Sequence, residues 1–139
     1  MQVAKVAGLC LATLATMAIA ADAPFTLALT GGGRACSGGL FVRTKTIEWN
    51  ASFSRCKPSP YEILGRETAG DHERLAFRLL NRNRSCRYAV IEAEQVRPGS
   101  WNVNGYPSLE AYQKRDIPDW REAPLPARQV LSCPMYEGG

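Results

Sequence analysis

Residues 74–96, "RLAFRLLNRNRSCRYAVIEAEQV", decide the fold class of this chain. Two apolar runs, 74–80 and 86–96, flank the polar stretch "NRNRS". In the first run a large apolar residue occupies every second position and arginine lies between, which is typical of a strand with one face in water. Asparagine and serine favour turns because their side chains bond to the local backbone. The stretch therefore predicts two strands joined by a turn.

A helix is the alternative for the first run. Asp71 is suited to cap it, and Leu75 and Leu79 fit one helical face. The alternation of Leu75, Phe77 and Leu79 with Arg74 favours the strand.

The same unit of apolar run and turn recurs on both sides of this stretch. The predicted strands are 25–30, 39–49, 61–67, 74–80, 86–96, 101–106 and 128–133. Residues 50–60 contain two prolines and read as a loop, and 107–116 begin with Pro-Ser and read as a short helix. We expect a mainly β domain, a small antiparallel sandwich or barrel with about seven strands and one short C-terminal helix.

Residues 1–20 have the pattern of a secretory signal peptide. Lys5 precedes an apolar run that closes on Ala18-Ile19-Ala20, an A-x-A cleavage pattern. A membrane span needs roughly 20 apolar residues, and this run is shorter and interrupted by Gly8. We expect cleavage after Ala20, a single domain over 21–139 with no membrane span, and a periplasmic or secreted location.

Four cysteines remain after cleavage, since Cys10 leaves with the leader. An even number in a short exported chain indicates two disulfides. No C-x-x-C spacing indicates a zinc or redox centre, and no other motif indicates a metal or cofactor. The cysteines that remain are Cys36, Cys56, Cys86 and Cys133.

An up-and-down meander favours one of the three possible pairings. If 61–67 and 74–80 form a hairpin, the following turn returns to the end where Cys56 lies, and Cys56 pairs with Cys86. A continuous strand over 39–49 would span about 33 Å and place Cys36 at the other end. Cys36 is then left to pair with Cys133.

The charge balance is mildly basic. The chain has 17 Lys and Arg against 13 Asp and Glu; without Lys5 the bases number 17 − 1 = 16. Such a small excess does not indicate a dedicated nucleic-acid binder. Most of the bases are arginines, which grip carboxylate and phosphate with two hydrogen bonds.

Five arginines lie within fourteen residues around the central turn. On a hairpin several of them would share a face and offer an anion a multidentate grip. The alternative is a stapled turn whose arginines are merely solvated. The arginines are Arg74, Arg78, Arg82, Arg84 and Arg87.

Tryptophan and tyrosine near turns indicate a second candidate surface. Trp101 and Tyr106 frame a short strand, and Trp120 and Arg121 lie in the proline-containing segment 117–127. Such aromatics at loop ends favour protein or sugar contacts, although core packing is the alternative.

No motif for nucleophilic or metal-dependent catalysis is present. Glu92 and Glu94 share one side of a predicted strand, which fits a pair of catalytic carboxylates but equally a wet strand face.

The sequence thus supports three functional hypotheses. The first is an exported, non-enzymatic binding protein of the cell envelope that recognises an anionic ligand or surface through the arginines. The second is a protein-binding module, such as an inhibitor of an exported enzyme, that uses 117–127. The third is an envelope hydrolase that uses the acidic pair. The candidate ligand-binding residues are Arg78, Arg82, Arg84, Arg87, Trp101, Tyr106, Trp120 and Arg121.

Overall fold

The fold is a closed barrel of eight antiparallel strands. A computed structural model describes residues 25–117 and 130–138. Each strand pairs with the next along the chain, and the last pairs with the first. The strands are β1 (Leu27–Gly31), β2 (Gly38–Val42), β3 (Thr46–Ala51), β4 (Ser54–Ala69), β5 (His72–Leu79), β6 (Val90–Arg97), β7 (Ser100–Tyr106) and β8 (Leu131–Glu137); the helices are α1 (Gly33–Cys36) and α2 (Leu109–Gln113). The predicted mainly β fold is confirmed as a barrel, with eight strands instead of seven.

Side chains fill the interior of the barrel. Alternate residues of every strand point inward, and Trp49, Phe77 and Leu40 among them are almost completely buried. Gly105 is required by this packing, because a Cβ atom there would lie 2.7 Å from the rings of both Trp49 and Tyr88. The described interior is therefore a packed core.

The prediction of one strand over 39–49 is wrong. The chain reverses between β2 and β3, where the N–H of Arg43 donates to the carbonyl of Thr46 at 2.8 Å. Residues 43–45, Arg-Thr-Lys, contain neither glycine nor proline. Glycine and proline are the usual sequence signals of a turn. Without them, the alternating pattern over 39–49 resembles one continuous strand.

The predicted loop over 50–60 is also wrong, because β3 continues to Ala51 and β4 begins at Ser54. Pro58 lies at a shift of register, since Ile47 pairs with Ser59 whereas Trp49 pairs with Cys56. A proline is tolerated at such a bulge because the ladder does not need its missing N–H there.

The remaining strands and the C-terminal helix form where the sequence predicts them, but they begin or end at different residues. The run 74–80 is a strand, β5, and the helical alternative is wrong. The second run forms a strand only from Val90. Helix α2 is shorter than predicted, with the Ser108 hydroxyl accepting from the N–H of Ala111 at its start.

Both predicted disulfides are present. Cys36 is bonded to Cys133 and Cys56 to Cys86. The reason given for Cys36 is wrong, however, because the β2–β3 reversal places Cys36 and Cys56 at the same end of the barrel. The chain segments that join β1 to β2, β3 to β4, β5 to β6 and β7 to β8 all lie there, and we call this end the disulfide end.

The predicted signal peptide, residues 1–20, and most of the segment 117–127 lie outside the described residues. Among those described, no helix is long and apolar enough to span a membrane. Two disulfides are compatible with a periplasmic or extracellular location, since such bonds persist in oxidising compartments.

We predict that the two disulfides stabilise the barrel unequally. Cys36 and Cys133 are 97 residues apart, and Cys56 and Cys86 are 30 apart. On chain-entropy grounds, loss of the longer link costs about 4–5 kcal/mol and loss of the shorter about 3–4 kcal/mol. Urea unfolding of Cys36→Ser/Cys133→Ser and Cys56→Ser/Cys86→Ser measures both costs. A larger loss of unfolding free energy in Cys56→Ser/Cys86→Ser than in Cys36→Ser/Cys133→Ser would contradict the prediction.

Candidate functional site

The β5–β6 loop (80–89) is clamped along the first part of β4. The disulfide from Cys86 to Cys56 fixes it covalently. Asn83 adds two hydrogen bonds: its Oδ1 accepts from the N–H of Lys57 at 3.0 Å, and its Nδ2 donates to the carbonyl of Arg55 at 2.9 Å. A loop held in this way keeps its backbone in one position.

Two further bonds extend the clamp to the start of β4. The N–H of Arg55 donates to the carbonyl of Ser85 at 3.0 Å. The N–H of Arg87 donates to the buried hydroxyl of Ser54 at 2.9 Å. The backbone of the loop and that of β4 therefore run side by side over most of the loop.

Five basic side chains are exposed along this clamp. Cys56 faces the core, so its neighbours Arg55 and Lys57 face outward. The loop contributes three more exposed arginines. We call the five residues the cationic strip; they are Arg55, Lys57, Arg82, Arg84 and Arg87.

The strip differs from the barrel wall in its ion pairing. On the wall, Arg43, Arg66, Arg74 and Arg78 each lie within 3.4 Å of a carboxylate oxygen. None of the five strip residues forms an ion pair with a carboxylate of residues 25–117 or 130–138. One strip guanidinium has a polar contact, since Arg82 donates to the carbonyl of Pro107 at 3.3 Å. Positive charge is thus concentrated along the clamp.

The structure brings together only some of the predicted site residues. Arg82, Arg84 and Arg87 share the loop, whereas Arg78 lies on the wall and contacts Glu62 at 3.4 Å. The expected alignment on the two strands of one hairpin is therefore wrong, and the arginines meet through the loop and β4. Trp120 and Arg121 lie outside the described residues.

The expected aromatic surface at Trp101 and Tyr106 is wrong as well. These side chains are only 4% and 5% exposed. The indole N–H of Trp101 donates to Glu137 at 2.7 Å, and Tyr106 donates to Glu92 at 3.2 Å. Both are occupied by contacts within the protein, because Trp101 points into the barrel core and Tyr106 lies on the outer face against α2.

An open groove borders the strip at Arg87. Its volume is about 220 Å³. Phe53 forms one wall beside Arg87, and Tyr88 and Pro107 lie along it with the start of β8. The groove is mostly apolar apart from that one guanidinium.

Glu92 forms the second polar cluster, on the outer side of the barrel. Its side chain is 2% exposed. Arg74 donates to Oε2 through two nitrogens, at 3.0 and 3.1 Å, and Arg115 lies 3.5 Å from the same oxygen. Asn104 and Tyr106 donate to Oε1 at 3.1 and 3.2 Å. A carboxylate with this many donors is stable out of water.

Helix α2 and the residues after it bury this carboxylate. Ala111 packs against Val90 and Tyr106 on the outer face of the barrel. Tyr112 lies edge to face with Tyr106 at 5.4 Å, and Arg115 stacks 4.0 Å above Tyr112. The Glu92 cluster therefore joins α2 to three strands of the wall.

The cluster is suited to stability more than to catalysis. Burial, together with the nearby charge and hydrogen bond of Glu92, raises the pKa of Tyr106, so that this hydroxyl stays protonated and donating in more alkaline solution than an exposed tyrosine would. Glu94 shares the outward side of β6, as predicted, but it is exposed, whereas Glu92 is covered. The two carboxylates do not face a common open site.

Sequence reasoning missed Arg55 and Lys57. Both lie in residues 50–60, which the sequence predicts to be a loop, and the arginine cluster was defined only by the density of arginine along residues 74–87. The pairing of Cys56 with Cys86 was the available signal, because residues adjacent to bonded cysteines must also lie near each other.

We predict that Glu92→Gln destabilises the protein by about 2–4 kcal/mol, because it leaves two guanidinium groups without their buried counter-charge. Glu94→Gln is the matched control, and its effect should stay within about 0.5 kcal/mol. Urea unfolding at neutral pH measures both. Equal effects would mean that the buried cluster contributes nothing particular to stability.

No group of His, Cys, Asp and Glu side chains in the described parts of the chain is arranged to hold a metal ion. Comparison of the chain with models of protein families, with curated proteins and with solved structures finds no match.

Proposed function

We propose that this protein is an exported, non-enzymatic binding protein of the cell envelope that recognises an anionic partner through the cationic strip. The observation that carries the proposal is the concentration of five exposed bases along one clamp, with no carboxylate partner among the described residues. Guanidinium groups in this arrangement suit carboxylate, sulfate or phosphate groups on an extended partner.

The clamp supports the proposal because it pre-organises the charges. Binding normally costs the entropy of ordering flexible groups. Here the loop backbone is already fixed by Cys86 and Asn83. Only the side chains need to be ordered when a partner binds.

The disulfides favour the envelope as the compartment. Both bonds need an oxidising environment to persist. The same environment is reached by a chain that begins with a signal peptide, as residues 1–20 predict.

The two other hypotheses have less support. The protein-binding module would use 117–127, of which only Ile117 is described, and it stays a prediction. The hydrolase would need Glu92 to reach a substrate, and this carboxylate is covered and engaged by Arg74 and Arg115.

We predict that Arg82→Glu/Arg84→Glu weakens binding to an immobilised anionic polysaccharide at low salt by at least about tenfold. Two ionic contacts of up to about 1 kcal/mol each are replaced by repulsion. Binding by the natural protein should also fall steeply with added salt, because exposed charges are screened. Elution across a salt series measures both effects.

The control is Lys45→Glu/Arg97→Glu. It makes the same change in net charge at the other end of the barrel, in the β2–β3 turn and at the end of β6, and should elute almost as the natural protein does. Equal losses in the two double variants would show that net charge alone governs retention. No retention of the natural protein at low salt would overturn the proposal.

A further inference from the structure

We infer that the anionic partner is a lipid surface, on which the cationic strip docks with Phe53 and Leu80 inserted between the lipid headgroups; this inference rests on the proposed function. Phe53 is 62% exposed and Leu80 is 56% exposed. Among the described residues these are the two most exposed large hydrophobic side chains. Phe53 lies in the turn just before β4, and Leu80 begins the β5–β6 loop, which the Cys56–Cys86 disulfide joins to β4.

The two apolar residues lie at opposite ends of the strip. Phe53 immediately precedes β4. The N–H of Leu80 donates to the carbonyl of Pro60 at 2.8 Å, which fixes Leu80 beside the far end of the clamped part of β4. The six residue steps from Ser54 to Pro60 correspond to about 20 Å of strand. The basic residues of the strip lie along this length.

The side chains of this surface face away from the core. Leu79 is buried in the core, and Leu80, the next residue, is exposed. Ser54 is buried, and Phe53 before it is exposed. Both apolar side chains are thus exposed next to the buried ends of β4 and β5, as Arg55 and Lys57 are along β4.

A strip about 20 Å long fits an extended surface better than one small anion. A polysaccharide would satisfy the basic residues but would leave Phe53 and Leu80 in water. An anionic bilayer satisfies both groups, because its headgroups attract the bases while its interfacial region accepts apolar side chains. The combination of charge and apolar exposure therefore selects the lipid surface.

The energetics are sufficient for reversible docking. Each base close to an anionic bilayer raises partitioning about fivefold. Burying two large apolar side chains in the interface raises it further. The fixed backbone of the clamp avoids an ordering cost.

The test measures binding to vesicles of phosphatidylcholine alone and of phosphatidylcholine mixed with phosphatidylglycerol. We expect the natural protein to bind only the anionic vesicles. Phe53→Ser/Leu80→Ser should bind them at least about tenfold more weakly, because two interfacial anchors are lost. Its retention on the anionic polysaccharide should be unchanged, since no base is altered.

The matched control is Val96→Ser/Tyr136→Ser. It removes two other exposed apolar side chains, 48% and 50% exposed, near the opposite end of the barrel. It should bind anionic vesicles as the natural protein does. A second readout uses Phe53→Trp, whose added fluorescence should be quenched by brominated acyl chains beyond the quenching seen in the natural protein.

The outcomes separate the two proposals. Arginine-dependent retention on polysaccharide without vesicle binding would overturn the lipid inference and leave the proposed function standing. Vesicle binding that is unaffected by Phe53→Ser/Leu80→Ser, with no added quenching in Phe53→Trp, would also overturn the inference. If the natural protein binds neither the anionic polysaccharide nor the anionic vesicles, both the lipid inference and the proposed function are overturned.

Discussion

The clamp between β4 and the β5–β6 loop is the constraint on which the candidate site depends. Without it, the loop would be a long polar excursion whose arginines sample many positions. The disulfide to Cys56 and the amide of Asn83 fix the loop against a strand of the barrel. This places Arg55 and Lys57, far away in sequence, beside the loop arginines. The same few bonds thus determine both the shape of this surface and its charge.

Charges on the rest of the barrel serve a different purpose. Arg74 and Arg115 neutralise Glu92, and the cluster attaches α2 to the wall. Removing one member of such a buried ionic cluster lowers the stability of the fold, because a charge is then left without its counter-charge. The complete cluster is stable. Basic residues on the wall are therefore committed to intramolecular contacts. Those of the clamp have no carboxylate partner among the described residues.

The sequence predicted the fold class from local alternation, and it predicted the Cys56–Cys86 pair because consecutive antiparallel strands return the chain to the end where Cys56 lies. Cys36 and Cys133 were correctly paired, although the strand that was expected to separate Cys36 from Cys56 does not exist. The prediction failed at the β2–β3 reversal, where the turn residues lack glycine and proline, and at β4, where a bulge accommodates Pro58. The burial of Glu92 was not predictable, because α2 covers it only after the chain has folded back. Trp101 and Tyr106 were misplaced for a related reason: closure of the sheet buries Trp101 in the interior, and α2 packs over Tyr106 on the outer face.

The rest of the barrel is less suited than the clamp to bind an anionic ligand. Side chains such as Trp49 and Phe77 fill the described interior, so that a ligand must bind outside it. Four arginines of the outer wall are paired with carboxylates, as Arg78 is with Glu62, which weakens their attraction for an anion. The density of arginine in the sequence placed Arg78 with the loop arginines, but pairing across the sheet separates them. Within residues 25–117 and 130–138, the clamp joins basic residues from two distant segments that have no carboxylate partner there, and it also carries the two most exposed large apolar side chains.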